Sequence, residues 1–280
     1  PGRIRDPKEA AAVAERLGYE DPFLAVREPF QMWGIQGDES LKERLPFVKA
    51  GLPGVFVTPD VTPYKKRKVR ILNGAHTAFV PGSWVAGFDI VRDCMHDETV
   101  RGFMNTMLYD EVIPTLAADL DVEDCKAFAA AVENRFDNPF IDHALLSICL
   151  NSTAKWRARD LPTLKDYVAE TGGLPKCLST SLATLIAFYT QELVSREGDG
   201  LHLRRADGTE YTAQDDAFVL DFYAAHAGVD DAELVHDVLS NEQMWGEDLT
   251  QIAGLEEFVV NALAIVRAEG VKQAFANAQA

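Results

Sequence analysis

Apolar residues recur three and four positions apart along most of this chain, the spacing that lines one face of an α-helix. The pattern predicts helices over 7–17, 38–48, 68–87, 97–118, 122–134, 139–150, 163–171, 176–194, 214–227, 231–240 and 254–278. Several ends are chemically marked. Gly18 stops the first helix, Asn138 before Pro139 reads as an N-cap with proline at the first helical position, and Gly172-Gly173 closes the helix that Pro162 and Thr163 open. Pro81 and Gly82 predict a kink or break in the 68–87 helix. Strand signals are sparse. Residues 21–39, DPFLAVREPFQMWGIQGDE, alternate like a packed extended segment, Val55 to Val57 permit one short strand, and Asp207-Gly208 in GLHLRRADGTEYTA predicts a type I′ hairpin forming an exposed flap. There is no internal repeat and no run of strands joined by crossover helices, so the class is mainly α with one short hairpin.

Composition narrows the function classes. With 280 residues, 47% of them apolar, the chain can bury a large core. The net charge of −17 argues against a nucleic-acid or anionic-membrane surface spread over the whole protein, so any anion site must be local. Cys94, Cys125, Cys149 and Cys177 stand singly and far apart, which suits reduced thiols in a cytoplasmic protein better than a disulfide framework. Cys94 and His96, two apart on a helix, point away from each other, so no metal site is expected. No apolar run is long enough to span a membrane, and PGRIRDPKEAAAVAERLG reads as a capped helix rather than a signal peptide. The opening at Pro1, without an initiator methionine, reads as a piece of a longer protein.

The basic run KKRKVR stands out against this acidity, with Lys65, Lys66, Arg67, Lys68 and Arg70 inside six residues. At about 100° per helical residue, Asn73 falls near 140° and His76 near 80° from Lys68, so the three share one broad face. A polar stripe on an otherwise apolar helix must face a cavity or water. The residue types suit carbonyl chemistry. A lysine crowded by like charge exchanges a proton near neutrality, an asparagine amide donates to a developing alkoxide, and a histidine one turn away orients a hydroxyl.

KVRILNGAHT resembles the Lys-x4-Asn-x2-His signature of the long-chain mannitol dehydrogenase family. Four more blocks, at 26–38, 134–164, 172–192 and 244–259, are similar to its sugar-acid branch in the same order, so the resemblance covers nearly the whole chain. It implies a two-domain enzyme in which an N-terminal Rossmann domain binds NAD(H) and a helical C-terminal domain, like that of 6-phosphogluconate dehydrogenase, carries the catalytic helix. This chain resembles the second part only, for no glycine fingerprint follows a strand. Residues 1–50 are then the segment after the nucleotide-binding domain, and 51–280 the catalytic and substrate domain.

The same resemblance makes Lys68 the proton-transferring residue, Asn73 a carbonyl or alkoxide donor and His76 a substrate-orienting partner. It points to His143, Lys155, Arg159 and Arg70 as contacts for a sugar acid, with Arg157 alongside beyond the helix that Asn138 and Pro139 open. The implied reaction is metal-independent reduction of tagaturonate to altronate with NADH. Fructuronate reduction and mannitol-type polyol oxidation are alternatives on the same scaffold, and a helical binding module without turnover is the alternative from another class. The partners implied are a small sugar acid and the Rossmann domain, with neither nucleic acid nor membrane.

Overall fold

The computed structural model describes residues 2–3, 7–26 and 31–280. It divides into two compact units, Pro1–Tyr64 and Lys65–Ala280.

In the first unit the helix Pro7–Leu17 ends as expected, at Gly18 with φ 79°. The strand Val55–Thr58 pairs in parallel with Trp33–Gln36, Trp33 opposite Val55. Two short helices, Ser40–Arg44 and Pro46–Lys49, connect them. The predicted single helix over 38–48 is therefore split, because Pro46 has no N–H to continue it. This corrects the expectation of no crossover between strands. The crossover escaped notice because each strand is four residues long and neither alternates between buried and exposed positions. The Trp33 ring stacks on Phe47 at 5.2 Å and ties the connecting helix to the strand. Pairing also draws residues 55–58 into this unit, so the boundary falls after Tyr64 rather than after residue 50. Residues 27–30 of the extended segment lie outside the described residues.

The second unit is built on the helix Lys176–Tyr189, in which every residue after Lys176 is buried. It packs between Leu255–Glu269 and Gly74–Val85. Two of its buried hydroxyls bond locally: Ser181 donates to the Leu178 carbonyl and accepts from Trp156 Nε1, and Thr184 donates to Ser181 O. Helix Gly74–Val85 runs through Pro81 without ending, and Gly82 serves close packing. A Cβ there would stand 2.8 Å from Phe275 Cζ and 2.9 Å from Thr184 Cβ. The helix predicted over 254–278 divides at Gly270, whose φ is 90°.

Three other expectations need correction. The 176–194 helix stops at Tyr189, and Glu192–Glu197 becomes a strand beside Gly200–Arg204, which pairs in turn with Glu210–Ala213. The expected hairpin is thus part of a three-stranded antiparallel sheet, and it is no exposed flap, since Leu201, Leu203, Tyr211 and Ala213 are buried. Its turn is not type I′, for Gly208 alone takes a positive φ while Asp207 accepts from Thr209 N. Finally, residues 139–144 are not helical. Asn138 Oδ1 accepts from Phe140 N in a local turn, and the chain next to it runs antiparallel to Asp89–Val91, with Val91 N donating to His143 O and Leu145 N to Asp89 O. Only Leu145–Ile148 coil.

Candidate active site

The helix carrying Lys68 does not start as an α-helix. Residues Lys68–Asn73 form a π-helical turn, closed by Gly74 N donating to Val69 O, before the α-helix Gly74–Val85 continues. An i→i+5 ladder advances roughly 80° per residue rather than 100°, which brings Asn73 to about 40° from Lys68 and His76, three α-steps on, to within roughly 20° of it. The broad face expected for an α-helix is therefore a narrow stripe. The turn lies against the helices Val122–Phe136 and Ser152–Arg159 and against a second π-helical turn, Met107–Val112.

Among the described residues neither the Lys68 ammonium nor the Asn73 side-chain amide has a hydrogen-bond or ion-pair partner, and His76 Nε2 is buried without one. The His76 ring stacks on Phe136 at 4.0 Å and meets His143 edge-on at 5.5 Å. Burial, helped by His143, Arg159, Arg135 and Lys155, pushes its pKa down to about 3, so the imidazole is neutral at physiological pH. Desolvation and the positive charges of Arg159 and Arg135 lower the pKa of Lys68. Lys155 is lowered by burial and then by Arg159, and its Nζ donates to Ile148 O at 2.9 Å. Burial lowers His143 as well. No carboxylate hydrogen-bonds Lys68, Lys155 or Arg159 among the described residues. The stripe lies among positive charges and carries three polar groups without a partner among the described residues.

Two of the expected residues are already hydrogen-bonded within the protein. Arg70 donates to Thr163 Oγ1 at 2.5 Å and to Asp166 at 3.1 Å, committed to the helix Leu161–Thr171. Arg159 Nη1 donates to Thr77 Oγ1 at 3.0 Å and to Asn73 O at 3.5 Å. Nor is KKRKVR one patch: Lys66 pairs with Asp119 and Arg67 lies 4.8 Å over the Phe128 ring. Cys94 Sγ donates to Ile90 O while His96 meets Asp137 at 2.7 Å, so those two side chains diverge.

Residues 60–267 match the family model described as the mannitol dehydrogenase C-terminal domain. The chain belongs to this family. Among its relatives, the altronate oxidoreductases of Escherichia coli O17:K52:H18 and Yersinia enterocolitica serotype O:8 are 41% and 40% identical over 272 and 274 residues, which is 95% and 96% of the chain. The chain spans about half of their length, 53% in each case. Pseudomonas fluorescens mannitol 2-dehydrogenase, in a ternary complex with NAD and D-mannitol, superposes with a TM-score of 0.75 at 20% identity over 99% of this chain and 52% of that one. A D-sorbitol dehydrogenase in substrate-free form gives the same TM-score and identity over 98% of this chain. At that identity the likeness is one of fold.

Within this mannitol dehydrogenase C-terminal domain, three contributors to the site went unread in the sequence. Arg135 and Phe136 end the helix Val122–Phe136, one acting on Lys68 and His76 by charge and the other stacking under the His76 ring. The third is Asp160, buried behind Gly74, where a Cβ would stand 2.8 Å from Asp160 Oδ1. An Arg-Phe pair closing a helix and an Asp before Leu-Pro look like ordinary helix-end residues, so neither carried a signal.

Proposed function

We propose that this domain supplies the substrate-binding and proton-transfer half of an NAD-dependent sugar-acid oxidoreductase that interconverts tagaturonate and altronate. The observation carrying this reading is the unpartnered Lys68 ammonium on one stripe with the Asn73 amide and the buried His76 Nε2, close to the positive charges of Arg159 and Arg135. Identity to altronate oxidoreductases supports the substrate class.

The three groups fit one oxygen-bearing carbon. Asn73 donates to the carbonyl oxygen, which gains negative charge as the carbon is reduced, and Lys68 in its ammonium form delivers the proton that turns alkoxide into hydroxyl. In the reverse direction neutral Lys68 takes that proton, and the cations around it keep this form accessible. His76, held neutral, bonds a neighbouring hydroxyl through Nε2 and sets which carbon faces the hydride donor. NADH, when bound, supplies the hydride. The chain carries no glycine-rich dinucleotide fingerprint, so the cofactor's cradle is assigned to the half that the relatives have in addition. The parallel strands of the first unit with their helical crossover are the kind of element that such nucleotide-binding sheets repeat. Lys155 and His143 hold the sugar acid's carboxylate, Lys155 by charge and His143 by a ring nitrogen.

The test is NADH oxidation by the longer protein with tagaturonate, fructuronate and fructose in parallel, with Lys68→Ala as the blank. We expect turnover on tagaturonate and a loss of several orders of magnitude in the variant. Preference for fructuronate or fructose overturns the substrate, and near-parental turnover in Lys68→Ala overturns the proton-transfer role.

A further inference from the structure

Two neighbouring side chains grip the point where the π-turn gives way to the α-helix. Arg159 Nη1 reaches Asn73 O and Thr77 Oγ1, and Thr77 Oγ1 itself donates to Asn73 O at 2.9 Å, so guanidinium, hydroxyl and carbonyl close a small ring on that junction. One residue further, Asp160 lies 2% exposed at the start of the helix Leu161–Thr171, yet it makes no capping bond there. Its Oδ1 presses on the Cα side of Gly74, and its Oδ2 is buried without a partner. A buried polar atom left unbonded is costly, so the position needs a reason beyond capping. Gly74 supplies it, being the residue whose N–H closes the turn on Val69 O and the one position where the missing Cβ admits the carboxyl.

We propose that Arg159 and Asp160 form a clamp that fixes the register of the π-turn and thereby keeps Lys68, Asn73 and His76 on one stripe. Both are positioning residues. Arg159, expected from the resemblance to meet substrate, acts instead on the Asn73 carbonyl and on the charge around Lys68. Asp160 acts as a wedge, its burial raising the carboxyl well above the usual range against the pull of Arg159 and Arg70. An α-helical register in place of the π-turn would swing Asn73 roughly 100° further from Lys68 with no change in the residues themselves.

The test uses the 280-residue chain, so its outcome is separate from that of the reaction proposed above. The Lys68 titration is read by 13C NMR after reductive methylation, and the His76 ring by 15N labelling. Gly74→Ala forces a Cβ against Asp160, and the Lys68 midpoint is expected to move by about half a unit or more, with the His76 resonances displaced. Asp160→Ala, which withdraws the carboxyl from Gly74, is expected to move both as well. A prop that merely stabilised the helix would lower the melting temperature and leave the midpoint alone. A parental titration in Gly74→Ala or in Asp160→Ala overturns the clamp. If Gly74→Ala does not fold, Arg159→Lys decides. It keeps the charge but loses the reach to Asn73 and Thr77, so displaced His76 ring resonances support the clamp and parental ones overturn it.

Discussion

Lys68 sits among charges of its own sign, and His76 beside it is denied a proton, so the two titrate in ways that can be measured apart. The pKa of His76 falls from 6.5 in the unfolded chain to about 3 in the folded one. Between those values the unfolded chain binds the extra proton, so this group's contribution to stability is complete above about pH 6.5 and drains away as the pH falls toward 3. Denaturant unfolding from pH 4 to 7 should show His76→Gln losing less stability on acidification than the parent, and parallel curves would refute a buried neutral imidazole. Lys68, Asn73 and His76 were legible at this scale because their types and order match a known signature. Phe136 and Asp160 were not, because stacking under a ring and wedging behind a glycine leave no trace in local spacing.

Among the elements, helices bounded by glycine or proline could be read to within a few residues, as Pro7–Leu17 and Leu161–Thr171 show. The π-turns could not, since KVRILN and MLYDEV are ordinary helix-forming strings and the wider winding is imposed by neighbours. The second π-turn carries Glu111, whose carboxylate accepts from Cys177 N at 2.7 Å and Leu178 N at 2.9 Å and so caps the buried central helix. Those bonds favour the charged form, but burial outweighs them and pushes the pKa up to about 7. From about pH 4.5 to 7 the folded chain keeps a proton that the unfolded one has lost, so stability from this group declines as the pH rises through that window. Glu111→Gln should therefore gain on the parent between pH 5 and pH 8, and a constant difference in melting temperature would contradict this. The packing of Gly82 gives a second expectation at this scale. Gly82→Ala drives a methyl into Phe275 and Thr184 and should lower stability by about 1–3 kcal/mol in thermal unfolding, whereas Gly173→Ala, with only Thr171 Oγ1 at 3.8 Å, should not.

For the molecule as a whole, the acidic surplus and the cationic site work on different ranges. A net charge of −17 repels anions at a distance, while the site attracts them within a few ångströms. Sugar-acid binding should therefore tighten modestly as added salt screens the long-range repulsion, before higher salt weakens the local contacts. NADH fluorescence should show no saturable binding to the 280-residue chain, and micromolar affinity would place the cofactor site among the residues described above. The mainly helical class was readable from periodicity over long helices. The parallel pair of the first unit was not, because four-residue strands give too short a pattern.

That pair has a further implication for handling the protein. Among the described residues each of its strands pairs with a strand on one side only, which leaves each with a row of amide and carbonyl groups that no strand takes up, and Trp33 on one of them is 56% exposed. A second copy of the same pair offers a complementary row. Concentrated solutions of the 280-residue chain should accordingly scatter light in a protein-dependent way, and a lysine or proline placed at an outward-facing position on either strand should clear them.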